Sequence, residues 1–317
     1  MTFHPSHEPV VVATDGSPAA LRGVRYAALE AQRLGVSLDI VHVVPGYLPV
    51  GPFPMVPDGA FQEYGRSVLE HSAAVARHAA GDVDTLSSLI LGSRVSSIVD
   101  ASCNAPLLVL GSRSLSLAER VWSGATVAGV CARAGCPVVV VPEEWPVPSA
   151  HSMSRIVVGF KTTDQAAALL PGAFALACET GAEIVVLHGW KLPSTYEDVV
   201  VVRLGEVNWE EVRRVVIDDA LLELCHAYPD VSVSVEVVHD RPDLALVEAS
   251  RAADRLFLSR PAHGGYLHHL GSTARTVLRE AHCPVEVVPR CLEAPSQPHR
   301  NVNIRVPHRI RTSMESP

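Results

Sequence analysis

Lysine is nearly absent. Of 26 basic residues only Lys161 and Lys191 are lysines, and 34 acidic residues outnumber the basic ones to give a net charge of −8. That balance excludes a general binder of nucleic acid or of an anionic membrane surface. No apolar run approaches the roughly 20 residues needed to cross a bilayer, and the opening MTFHPSHEP lacks the basic-then-apolar order of a signal peptide. A cytoplasmic chain is expected. The seven cysteines (103, 131, 136, 178, 225, 283 and 291) are odd in number and form no Cys-x-x-Cys pair. They predict reduced, mostly buried thiols, and Cys131 and Cys136 have no neighbouring histidine to complete a zinc set. There is no Gly-x-Ser-x-Gly elbow, no Gly-x4-Gly-Lys-(Ser/Thr) loop and no pair of carboxylates that spacing places in one site. A dedicated enzyme is therefore not expected, although slow ATP hydrolysis stays open.

What is present is present twice. GCPVVVVP ends at Pro142 and HCPVEVVP at Pro289, 147 residues later, and the surrounding signals keep that offset to within one residue. His42 corresponds to His188, Gly124 to Gly271, and PVVVATDGS at 9–17 to RIVVGFKTT at 155–163. The chain thus divides into a first domain over 1–146, a second over 152–290, and a basic tail over 291–317 with no helical or strand period. In the first domain VVVAT reads as a buried strand and SPAALRGVRYAALEAQRLG as a helix with Ser17 as N-cap, Pro18 at N1 and Gly35 as stop. A strand through SLDIVHVV, a helix at about 61–80, a strand near 83–91, a short helix after Gly92, the strand PLLVLGS, a helix at about 124–134 and PVVVVP complete the plan. Five apolar strands alternating with four helices predict a doubly wound α/β fold with a five-stranded parallel sheet in each domain. The last strand of each domain is an exposed edge. The two edges are expected to pair into a pseudo-symmetric dimer, with Glu286 kept partly wet.

In such sheets a ligand sits at the carboxyl ends of the strands where strand order reverses, here between the first and fourth. The loop after the first strand holds Asp15-Gly16-Ser17; the loop after the fourth is GSRSLSLAERVWSGAT, residues 111–126. Backbone amides in a loop and at a helix N-terminus attract phosphate, and Asp15 could accept from a ribose or base. Asp-Gly-Ser after strand one, His42-Val43 ending strand two, a loop spaced like Gly-x2-Gly-x9-Gly-(Ser/Thr), and Cys-Pro before the last strand together resemble the universal stress protein family, over residues 9 to 290 as a tandem pair of flavodoxin-like, adenine-nucleotide-binding-type (Usp) domains. In nucleotide-binding members that loop holds the phosphates and ribose, and the ends of strands one and two hold the adenine side. Others lack the motif and bind no ATP.

By this resemblance the first domain keeps Asp15, Val43, Gly111 and Gly124, flanks them with Ser112, Arg113 and Thr126, and departs at Ser114 and Ala125. A non-glycine residue at 114 costs about 1–2 kcal/mol if positive φ is required, and a lost hydroxyl bond to phosphate costs about 1.5–3 kcal/mol. The sum is a weakening of roughly a hundredfold. The second domain keeps Gly271 and Ser272 but carries Leu258 and Pro261 for the first two glycines and Lys161 for Asp15. Proline has no N–H to offer a phosphate. Two readings follow: a stress or dormancy regulator that binds ATP, with Mg2+ on its phosphates, in the first domain, or a nucleotide-free interaction module acting through its edges and tail. A homodimer and an unidentified protein partner stay open; a membrane or nucleic-acid partner is not expected. His263, His268 and His269 match no ligand spacing and read as a polar loop, and His42 and His188 as satisfied interior histidines.

Overall fold

The computed structural model describes residues 8–44, 59–81, 83–113, 120–146, 153–191, 209–260 and 270–289. The first half runs β1 (Val10–Ala13), α1 (Pro18–Leu34), β2 (Leu38–Val44), α2 (Ala60–Ala79), β3 (Thr85–Leu91), α3 (Arg94–Ala101), β4 (Leu108–Ser112), α4 (Arg120–Arg133) and β5 (Val138–Pro142). The second repeats it as β6 (Arg155–Gly159), α5 (Thr163–Thr180), β7 (Glu183–Gly189), α6 (Trp209–Ala227), β8 (Val233–Val238), α7 (Pro242–Ala249), β9 (Arg255–Ser259), α8 (Ser272–Glu280) and β10 (Val285–Val288). Local signals fix both ends of α1. The Ser17 hydroxyl accepts from the Ala20 amide at 3.3 Å, Pro18 occupies the first helical turn, and Gly35 closes α1 at φ 66°, a conformation glycine adopts without penalty.

Within each half the strands pair in parallel, in the order β3-β2-β1-β4-β5 and β10-β9-β6-β7-β8. The two edge strands join. β5 and β10 pair antiparallel, with Val140 opposite Val285, Val139 opposite Glu286 and Val138 opposite Val287, so ten strands form one sheet. The apolar runs of β1, β2, β5, β7 and β9 are buried because helices cover both faces. The outermost β3 and β8 have no fully buried residue, and β8 alternates over Val233–Glu236.

Two expectations need correction. Glu286 is not wet: only 9% of it is exposed, and its carboxylate lies 3.1 Å from the Nε of buried Arg255. Joining the edges removes water from that strand, so its charge needs an internal counterpart. The thiols also differ from the prediction, with Cys131, Cys136 and Cys283 buried but Cys103, Cys178 and Cys225 exposed. Burial pushes the first three thiols up to about 12, 11 and 12 respectively, which leaves them protonated. Residues 147–152 of the linker, the three histidines at 263, 268 and 269, and the tail lie outside the described residues.

Candidate functional site

A crevice of about 720 Å³ opens at the carboxyl ends of β1 and β4, where strand order reverses. The turn after β1 is built locally. The Gly16 amide donates to the Thr14 hydroxyl at 3.2 Å, Gly16 takes φ 78°, and the Ser17 amide donates to Asp15 Oδ1 at 3.0 Å. This holds the Asp15 carboxylate at the rim with its other oxygen 3.9 Å from Arg113. Partial burial pushes its acidity down, but the Ser17 bonds and the Arg113 charge outweigh that and leave its pKa below 3.8. Asp15 is therefore an ionised acceptor at neutral pH.

His42 ends β2 beneath it. Its Nδ1–H donates to the Thr14 carbonyl at 2.7 Å, and His188 repeats the bond to the Phe160 carbonyl at 2.9 Å. Both are the satisfied interior histidines that were expected. Val43 follows as an apolar wall, and Phe61 and Tyr64 of α2 add an aromatic edge. Gly111 ends β4 for a reason independent of any ligand: a Cβ there would stand 2.1 Å from the carbonyl oxygen of Ala19. The first turn of α1 rests directly on the β4 backbone.

Asp15, Val43, Gly111, Ser112, Arg113 and Thr126 thus share one cavity. The others do not join them as expected. Helix α4 begins at Arg120, a full turn before Gly124. Arg120-Val121-Trp122-Ser123 contains no glycine or proline, so nothing in it stops the helix from extending backwards. The Gly124 amide then bonds four residues back to the Arg120 carbonyl instead of facing a phosphate. Ala125 is exposed on the same helix, and Ser114 lies outside the described residues. In the second half Gly271 does sit as the extended N-cap of α8, at φ −61° and ψ 161°, with Ser272 exposed as the first helical residue.

Neither Gly271 nor Ser272 lines the second crevice, of about 350 Å³. Exposed Lys161 stands at its mouth, and the Arg213 guanidinium donates to His188 Nε2 at 3.1 Å while stacking 5.5 Å over Trp190. Burial, reinforced by the Arg213 charge, holds His188 below its ordinary pKa and hence neutral. Leu258 is buried at the end of β9. Asp15 thus has a lysine for its counterpart and Gly111 a leucine.

The sequence reading missed three cations of the first cavity: Arg94 at the start of α3, and Arg275 and Arg279 from α8 of the other half. The signal that could have found the last two is their i, i+4 spacing, which puts them on one face of the helix. Among the described residues no cluster of histidine, cysteine or carboxylate side chains could hold a metal ion, and no helix is long and apolar enough to cross a membrane.

The comparisons agree with this architecture. The model of the universal stress protein family matches twice, over residues 7–142 and 153–289. A universal stress protein of Mycobacterium tuberculosis is 30% identical over 288 residues, which covers 88% of this chain and 96% of that one. A second from the same organism is 28% identical over the same span, covering 88% and 95%. Among solved structures, a universal stress protein of Archaeoglobus fulgidus superposes with a TM-score of 0.68 at 20% identity, over 90% of this chain and 98% of that one. With both halves matched, the site at the expected strand ends and relatives of the same length, the chain belongs to the universal stress protein family.

Proposed function

We propose that the chain is a stress- or dormancy-response regulator that binds an adenine nucleotide in its first half and acts by occupancy, without turnover. The observation that carries this is the 720 Å³ crevice at the strand-order reversal. It joins an ionised acceptor, Asp15, and an apolar wall at Val43 to four arginines, namely Arg94, Arg113, Arg275 and Arg279. The apolar and aromatic end suits a purine and the cationic end suits phosphates. Asp15 is the sole carboxylate among the described lining residues, so a Mg2+ ion would arrive on the phosphates of ATP. Nucleotide occupancy would change a contact with a protein partner in the cytoplasm.

The nucleotide-free reading also has an observation in its favour: α4 consumes the Gly124 amide that the resemblance assigns to phosphate. Calorimetric titration of Mg-ATP into the purified chain and into Asp15→Ala separates the two. A saturable site weakened in the variant supports the nucleotide sensor. No heat from ATP, ADP or AMP would retire it and leave the interaction module.

A further inference from the structure

Four guanidinium groups face one carboxylate in the first cavity, and two of them come from the other half of the chain. The antiparallel joint explains how they get there. Because β10 runs opposite to β5, the helix preceding β10 runs in the same sense as β5 and carries its C-terminal turns towards the carboxyl ends of the first half's strands. Arg275 and Arg279 are one turn apart on that helix, and both line the crevice together with Thr126 and Ala128 of α4. Arg275 is exposed and makes no hydrogen bond or ion pair among the described residues. Arg279 uses Nε and Nη2 on its neighbour Glu280, at 3.0 and 2.6 Å, which leaves Nη1 for a ligand.

The arrangement is one-sided. At the offset of 147 the counterparts of Arg275 and Arg279 on α4 are Ala128 and Ala132. No α4 residue lines the second crevice among the described residues, and nothing from α8 does. The half whose own site has Lys161 and Leu258 in place of aspartate and glycine is thus the half that lends cations to the other.

We propose that Arg275 and Arg279 form a phosphate clamp in trans: the second half completes the ligand site of the first, and a polyphosphate ligand bridges the two halves. The adenine identity of that ligand rests on the reading above; the clamp itself requires only a chain of phosphates. It explains how binding can persist although the Gly124 amide is engaged in α4, since guanidinium groups replace the missing backbone donors.

The test titrates ATP, adenosine and inorganic tripolyphosphate into the full chain, the Arg275→Ala/Arg279→Ala double variant and Asp15→Ala. The arginines are on the surface of α8, and circular dichroism with a melting curve confirms that the double variant folds. The expected result is a loss of about tenfold or more in ATP and tripolyphosphate affinity for the double variant, with adenosine unchanged. The salt dependence of ATP binding should also flatten. ATP binding equal to wild type in the double variant, but lost in Asp15→Ala, overturns the clamp and leaves the nucleotide reading standing. Tripolyphosphate binding that needs the arginines, without any adenosine or ATP preference, supports the clamp and overturns the adenine assignment. No binding of either phosphate compound to wild type overturns both.

Discussion

The guanidinium of Arg255 on β9 lies 3.4 Å from the carboxylate of Glu30 on α1, with both side chains buried and 225 positions apart in sequence. Around the pair, Arg33 bonds Glu30 at 2.9 Å and reaches Glu179 on α5, and Arg255 stands 5.5 Å over the Tyr26 ring. Arg255 Nε is 3.1 Å from Glu286 Oε2, close enough to pair as charges but off the line of a hydrogen bond. Charges taken from water in this way stabilise little by themselves, but removing one partner strands the other. By itself the network adds little to the strength of the joint between the halves.

Arg255→Met should accordingly cost about 3–5 kcal/mol of stability, because the buried Glu30 carboxylate loses one of its two cationic partners. Urea denaturation of the variant beside wild type checks this. A Glu30→Gln/Arg255→Met cycle should show a coupling well above the few tenths of a kcal/mol seen for independent sites.

The two buried glutamates should respond to pH with opposite signs. Burial pushes Glu30 up, but Arg255 and Arg33 outweigh it and hold its folded pKa below 4.5. Its contribution is complete above 4.5 and is lost as pH falls through the folded value. For Glu286 burial wins over Arg255, and the folded pKa lies above 4.5. Its contribution is complete below 4.5 and is lost as pH rises through that higher value. At neutral pH, Glu30→Gln should lower the denaturation midpoint while Glu286→Gln leaves it equal or higher. A fall for both would show that Glu286 is held charged by Arg255.

Two glycines should behave in opposite ways when replaced by alanine. At Gly111 the added Cβ would stand 2.1 Å from the Ala19 carbonyl oxygen, so α1 must move and the crevice beneath Asp15 with it. Gly111→Ala should cost about 1–3 kcal/mol and weaken ligand binding. Gly172 lies inside α5 with nothing within 4 Å of an added Cβ, and alanine there should stabilise by about 0.5–1 kcal/mol. Melting temperatures of the two variants settle the comparison.

Restoring the family hydroxyl should not restore a site. Ala125 is exposed on α4 and is absent from the residues that line the crevice. Ala125→Ser should leave ATP affinity within about twofold of wild type, since residue 125 is not among those that line the crevice. A tenfold gain by calorimetry would place a phosphate beside residue 125 instead.

Much of this was legible in the linear chain because it rests on local physics. Ser17, Pro18 and Gly35 bound α1 by capping and φ preference, so the helix falls where they put it. The apolar runs ending at Pro142 and Pro289 mark buried strands, and their offset exposed the duplication. Asp15 and Gly111 were identified through the order of loops in the fold, which follows from strand–helix alternation. Misreadings came where a competing interaction lay far away in sequence. Glu286 looked like a wet edge residue because Arg255, 31 positions back, gives no local sign of standing beside it. The start of α4 was misplaced because Gly124 resembles a helix boundary, while the helix-compatible residues before it carry α4 back to Arg120.

What the sequence by itself determined is the plan: two α/β halves of one pattern, the first with a crevice at its strand-order reversal, and a second half that has lost the matching glycines and aspartate. Periodicity, caps and turn residues act within a few positions of themselves, and that reach is enough for a plan. Only the tertiary structure decided that the edges close antiparallel, that Glu30, Arg255 and Glu286 share one buried joint, and that Arg275 and Arg279 line the other half's cavity. Charge pairing and cavity lining depend on distance in space, and the antiparallel joint brings together side chains that the chain holds more than a hundred residues apart.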